Sequence, residues 1–455
     1  MRRCTHLLLI FILLAACSLV QPSRQMTVIA HPDGPLYAGD QVSFEVLTPT
    51  VKGGTNEGVS VTFEGRELGQ ADFAPFGIGG RSQATLWWVW DTRDLKPGNY
   101  SLTFTLQPEN ISESETFPLH PADQVPPPEP GATWASTTTV CCILHYITGT
   151  AASRDIASLS QVVDDQSALV SAQLSSKLSD RIDIVFIPRV IGHGGFTLGS
   201  IYVSYLDDNY IGNDMAILFH HEFVHYYDDA WGGVYLPSIL QEGLAVYLSG
   251  GHFKLEPLMP RAEAMVELNW YIPLMTLVND FYNQQHDIGY LEAGALIGYL
   301  VETYGWDGFN EFYRTIPEPI SGQTNSAVID TALHDHFGIS FSDLETEFLT
   351  FLHSQTVTEQ ELTDLQMTLS FYDSVRRYQQ VLDPSAYFLT AWLPDESVMS
   401  QRRIVADFLR RPRNWNNQLL EALLIRAHGE YFRGDYKDAE TTLRWTNWVM
   451  DVISP

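Results

Sequence analysis

Between residues 27 and 120 apolar and polar positions alternate with a period of two. Val42, Phe44 and Val46 sit between polar neighbours, as do Val59, Val61 and Phe63, and later Leu102, Phe104 and Leu106. A strand points successive side chains to opposite faces, so these runs predict strands with one buried face. Turn signals such as Lys96-Pro97-Gly98-Asn99 separate them. Together they predict a small β-sandwich over residues 27–120. The prolines at 126, 127, 128 and 130 then predict an extended, semi-rigid linker over 121–134.

Over residues 135–355 the pattern becomes mixed, and the chain as a whole reads as α+β. Apolar runs predict strands at 138–148, 181–187 and 200–205 and a helix at 156–178. Asn213 and Asp214 are N-cap residues for a helix that stops before Gly232-Gly233. Pro237 and Gly250-Gly251 bracket a second helix, and a third runs over 291–304 to Gly305. Residues 358–455 are mostly helical in pattern. Within them 427–439 is similar to one tetratricopeptide-type helical hairpin, without a second copy at the expected period. A helical appendage packed on the middle region is therefore expected.

Length and charge narrow the classes. At 455 residues with 45% hydrophobic composition the chain can bury more than one core. A formal net charge of -29 excludes nucleic-acid binding, because no basic patch is available to neutralise phosphates. Arg2 and Arg3 precede an apolar run that ends in Leu14-Ala15-Ala16-Cys17. A basic start, a short apolar stretch and small residues predict a signal peptide. Leu-Ala-Ala-Cys resembles a bacterial lipoprotein signal over residues 1–17. It implies a lipid anchor on Cys17 and a chain held at the outer face of the cytoplasmic membrane. Of four cysteines, Cys141 and Cys142 remain in the body of the chain. On a strand they would face opposite ways, so core packing is expected of them, a vicinal disulfide in an oxidising compartment being the other reading.

The candidate chemistry lies at His221-Glu222-Phe223-Val224-His225, with Glu242 further on inside Glu242-Gly243-Leu244-Ala245. Histidines four apart on a helix project from one face and can bind one metal ion. Glu222 can take a proton from water at that ion. Glu242 is placed to be a third protein ligand, leaving a fourth position open. The apolar neighbours Ile217, Leu218, Phe223 and Val224 suit an interior helix. His220 lies about 100° around the helix from His221 and is expected to be packed or hydrogen-bonded. Asp228 and Asp229 either orient a ligand histidine or sit at a solvated helix end. His193, His252 and His286 have no partner readable from the sequence.

This constellation resembles the gluzincin metallopeptidases, the group that includes thermolysin and the zinc aminopeptidases, over about residues 180–315. The resemblance implies a thermolysin-like domain, one Zn2+ held by His221, His225 and Glu242, and Glu222 as general base. It also implies a peptide or protein substrate. The spacing from His225 to Glu242 is a little shorter than in the best-known members. Gly289-Tyr290-Leu291-Glu292-Ala293-Gly294 is similar to a helix start in aminopeptidase-type gluzincins, with Ala293 where lysine is usual. There the tyrosine donates to the oxyanion, which makes Tyr290 the candidate stabiliser. The bend at Gly194-Gly195-Phe196 falls where gluzincins place a substrate-binding edge strand; an ordinary turn is the other reading. The strands at 27–120 look like an immunoglobulin-like (Ig-like) or fibronectin-like module, expected to act as a spacer. A different class of function is a surface binding or scaffolding lipoprotein with an inactive peptidase-like core. The sequence leaves the oligomeric state open.

Overall fold

The computed structural model describes residues 26–48, 57–76, 81–190, 194–231, 236–383 and 405–453. The expected signal peptide with Cys17, as well as His193 and Gly232-Gly233, lies outside the described residues. The architecture is mixed α+β, divided into two compact units. No helix among the described residues is long and apolar enough to cross a membrane.

The first unit is built from β1 (Thr27–His31), β2 (Leu36–Tyr37), β3 (Gln41–Leu47), β4 (Gly58–Phe63), β5 (Arg66–Phe76), β6 (Arg81–Asp91), β7 (Gly98–Gln107) and β8 (Ile111–His120). The alternating residues Val42, Phe44, Val46, Val59, Val61, Leu102, Phe104 and Leu106 are buried, as the period of two predicts. The strands form one sheet in the order β1-β3-β6-β5-β4-β7-β8-β2. Phe44 on β3 and Phe104 on β7 nevertheless meet with ring centroids 5.2 Å apart. The sheet therefore curls until its two halves face one another. The expected sandwich of separate sheets is instead a single curled sheet, because β5 and β6 stay paired across the bend.

The second unit opens with a five-stranded sheet: β9 (Trp134–Thr138), β10 (Cys142–Ile147), β11 (Ile182–Ile187), β12 (Gly195–Leu198) and β13 (Ser200–Ser204), in the order β12-β13-β11-β10-β9. The inner strands β10, β11 and β13 are parallel, and the edge strands β9 and β12 are antiparallel to their neighbours. Helix α1 (Ala151–Gln173) makes the crossover from β10 to β11 and starts and ends earlier than the sequence pattern suggested. The single strand expected at 138–148 is broken by a bend at 140–141. Cys141 and Cys142 are joined there by a disulfide. Of the two readings the structure has the vicinal disulfide, with Cys142 also packed in the core: the alternation argument for core packing alone fails where the chain turns. The stretch expected to be an extended linker holds two short 3-10 turns, Ala122–Gln124 and Glu129–Gly131. The Glu129 carboxylate is paired with Arg410 at 2.6 Å.

Four helices build the centre of this unit: α2 (Met215–Trp231), α3 (Ser238–Ser249), α4 (Leu258–Glu267) and α5 (Leu274–Asn279). The next helical run, α6 (His286–Thr315), is kinked at Gly305, where φ is 74° and ψ is 160°. The break foreseen at Gly305 is thus present, but helix resumes beyond it. Gly243 on α3 sits against α6, and a Cβ there would lie 2.7 Å from the Ala293 carbonyl oxygen. That close approach sets the helix carrying Glu242 directly against the helix carrying Tyr290. After α7 (Asn325–Phe337) and α8 (Phe341–Leu352) come α9 (Glu359–Leu382), α10 (Val405–Leu409), α11 (Trp415–Phe432) and α12 (Tyr436–Ile453). Of these last helices, α9, α11 and α12 share a core with Val190, Leu206, Tyr210 and Phe253 from the middle of the chain.

Candidate metal centre

Helix α2 begins where Asp214 Oδ1 accepts the backbone N–H of Ala216 at 2.9 Å, which satisfies a donor that the first turn leaves open. One turn separates His221 from His225, so both imidazoles leave the same face, with their Nε2 atoms 3.1 Å apart. Glu242 comes from α3, and its Oε2 lies 3.2 Å from each Nε2. The three donor atoms fall within 4.8 Å of one another. Donors bonded to one zinc at about 2.0–2.1 Å in a tetrahedron stand roughly 3.3 Å apart. The two nitrogens and one oxygen therefore fit a zinc ion in number, type and spacing.

Charge supports the same grouping. Burial opposes ionisation of Glu242, but the neighbouring His225 charge and hydrogen bonds from both histidines outweigh it and hold the carboxyl well below its usual range. Burial likewise works against a charged His225, yet Glu242, then Glu222 and Asp228, push it up to about 9. The two shifts have one origin, the close contact of the Glu242 carboxylate with the imidazoles, and a metal ion bound there would take the place of the His225 proton. His220, by contrast, turns away: its ring nitrogens contact Gln166 Oε1 and Gln173 Oε1, each at 2.8 Å. Burial, aided by His221, brings its pKa down to about 4. It is the packed histidine the helix geometry indicated.

Asp228 does not orient a ligand histidine. Its carboxylate accepts the Tyr313 hydroxyl at 2.7 Å and an Arg314 N–H at 3.0 Å. These partners come from the far end of α6 and draw it away. The Asp229 side chain lies outside the described ones.

Glu222 is buried beside the cluster and faces strand β12. Thr197 Oγ1 donates to Glu222 Oε2 at 2.7 Å. A Cβ on Gly195 would lie 2.7 Å from Glu222 Oε1. The glycine-rich bend therefore continues as the edge strand of the sheet, and its one missing side chain leaves room for the carboxylate.

Tyr290 is buried at the start of α6. Its ring lies 6.1 Å from that of His221, between centroids. Burial, then the Glu242 charge, raise its phenol well above the usual tyrosine value, so it is a protonated O–H donor. Several neighbours were not readable from the sequence. The Tyr282 hydroxyl donates to Glu242 Oε1 at 2.8 Å. The His252 ring stacks on Tyr290 at 4.2 Å, and His286 lies 4.3 Å from it on a tilt. The two imidazoles approach each other with Nε2 atoms 3.1 Å apart. Nothing in their spacing marks them, since His252 comes from the connection after α3 and His286 from the first turn of α6.

No family model matches this chain, and no curated protein does. Among solved structures, an aminopeptidase N family protein from Idiomarina loihiensis is 13% identical, with 75% of this chain and 78% of that chain covered and a TM-score of 0.27. A likeness this weak carries no argument about function.

Proposed function

We propose that this chain is a zinc-dependent peptidase of the gluzincin type, acting on peptide or protein substrates. The observation that carries the reading is the convergence of His221, His225 and Glu242 with the Glu222 carboxylate alongside, its Oε2 held by Thr197. His221, His225 and Glu242 would hold the zinc. A bound zinc ion supplies Lewis acidity, lowering the pKa of water toward neutrality and polarising a carbonyl.

The chain's own groups do the rest. With Oε2 engaged by Thr197, Glu222 Oε1 takes the proton of the attacking water and passes it to the leaving amine. The hydroxyl of Tyr290 donates to the oxyanion of the tetrahedral intermediate. Among the described residues strand β12 pairs with β13 on one side only. Its other edge accepts an extended peptide by backbone pairing, which brings the scissile bond toward Glu222. The basic, apolar and Leu-Ala-Ala-Cys segments at the start of the chain support export and a lipid anchor on Cys17 as part of this reading.

The test is Glu222→Gln in the full chain. The variant is expected to keep its zinc, measured by elemental mass spectrometry, and to lose cleavage of a broad peptide library. A zinc-loaded variant that cleaves as fast as the parent removes the assignment.

A further inference from the structure

Helix α9 reaches the metal centre indirectly at two places. Phe253, next to His252, is buried and stacked on Tyr372 of α9, with centroids 3.8 Å apart and planes at 22°. Asp287, next to His286, is fully buried and paired with Arg376 of α9, Oδ2 to NH2 at 2.6 Å and Oδ1 to NH1 at 3.4 Å. Lys254 adds a third tie, to Asp364 at 2.6 Å. Each of the two imidazoles packed against Tyr290 is thus followed in sequence by a residue fixed to the same helix.

We propose that Tyr372 and Arg376 are positioning residues for the reaction: through Phe253 and Asp287 they set the His252–His286 pair, and through it the ring of Tyr290. This rests on the peptidase reading above. A tyrosine that donates to an oxyanion must be held to a fraction of an ångström before the reaction, because a donor that swings pays the ordering cost in the transition state. Tyr290 is held by two adjoining imidazoles, His252 stacked on its ring and His286 tilted beside it, their own centroids 5.1 Å apart, and by Phe281, 5.1 Å away. His252 sits in the connection between α3 and α4 and His286 is the first residue of α6, where a helix is held least by its own hydrogen bonds, and α9 supplies the rigidity. The fork of Arg376 on Asp287 specifies orientation as well as charge. The helical C-terminal region is on this account part of the catalytic apparatus.

The test compares zinc-loaded full-length Tyr372→Leu, Tyr372→Phe and Asp287→Asn/Arg376→Gln with the parent. The double variant is chosen because Arg376→Gln alone strands a buried carboxylate and threatens the fold. For Tyr372→Leu and the double variant, kcat is expected to fall on the order of ten-fold with KM within about two-fold. Zinc content stays at the parental level. Amide hydrogen exchange is expected to quicken in 250–257 and 285–290. Tyr372→Phe, which keeps the stacked ring, restores what Tyr372→Leu loses. A purely structural role would lower thermal stability and leave kcat per folded, zinc-loaded molecule alone. The proposal is overturned if either kcat or exchange in those segments stays parental in both variants. Should the parent itself cleave no peptide, the peptidase reading fails separately. Exchange then decides whether α9 holds the two segments: parental protection overturns that, and faster exchange upholds it.

Discussion

Thr197 on β12 and Glu222 on α2 are joined through the Thr197 hydroxyl, which donates to Glu222 Oε2 at 2.7 Å and lies 3.5 Å from the Glu222 carbonyl oxygen. It links the edge strand to the proposed general base, and it leaves one carboxylate oxygen for the proton. Thr197→Val keeps the shape and removes the donor. A hydrogen bond to a charged group contributes about 1.5–3 kcal/mol. If that stabilisation is felt mainly in the transition state, kcat falls about ten- to hundred-fold. Steady-state kinetics of the zinc-loaded variant check this, and unchanged kcat refutes the role.

Gly195 tests the same carboxylate from its other oxygen. Its backbone is not in the left-handed region, so alanine is conformationally acceptable there. The added methyl would nonetheless meet Glu222 Oε1 at 2.7 Å and Leu218 Cδ2 at 3.1 Å. Gly195→Ala is expected to fold, bind zinc and lose most of its turnover. A fully active Gly195→Ala protein shows that Glu222 need not stay where it is.

Metal removal is expected to loosen the join between α2 and α3, since His221 and His225 come from one and Glu242 from the other. A ligand at a thousand times its Kd stabilises the folded state by about 4 kcal/mol. Differential scanning calorimetry should show a lower Tm after chelation, recovered on adding zinc. His225→Ala should lose most of that response. A parental Tm indifferent to chelator and zinc contradicts the ligand set.

Stability should also fall in mild acid, partly through His428 on α11. Burial pushes its pKa down to about 4, with contact to the Gly212 backbone opposing and the Lys254 charge assisting. In the unfolded chain the group titrates near 6.5. Between those values the unfolded chain binds a proton that the folded protein excludes. The contribution is therefore complete above about pH 6.5 and is lost as pH falls toward 4, up to about 3 kcal/mol. His220 adds a loss of the same sign. Urea midpoints at pH 7 and 4.5 should differ less in His428→Gln than in the parent. Equal differences would remove His428 from the account.

The sequence was most legible where structure is local. The start of α2 at Asp214, the stop of α3 at Gly250 and the break at Gly305 follow from capping chemistry and positive φ, which neighbouring residues dictate. The alternation of Val42, Phe44 and Val46 likewise foretold a buried strand face. It did not foretell one curled sheet instead of two, because the alternation is the same whether β5 and β6 pair or part. Core packing ranked ahead of the Cys141–Cys142 bond for a related reason: the alternation rule assumes a strand, and the chain bends there.

At the site the division is sharper. The sequence by itself determined that His221 and His225 share a helix face with Glu222 between them, since 3.6 residues per turn decides it without reference to the rest of the chain. Only the tertiary structure decided that Glu242 comes within 3.2 Å of both, that Thr197 holds Glu222, and that Tyr282, His252 and His286 gather around Glu242 and Tyr290. Those contacts join segments that are distant in sequence. They depend on how closely α3 packs on α6, where β12 lies on the sheet edge, and what α9 anchors, and no local periodicity encodes any of these.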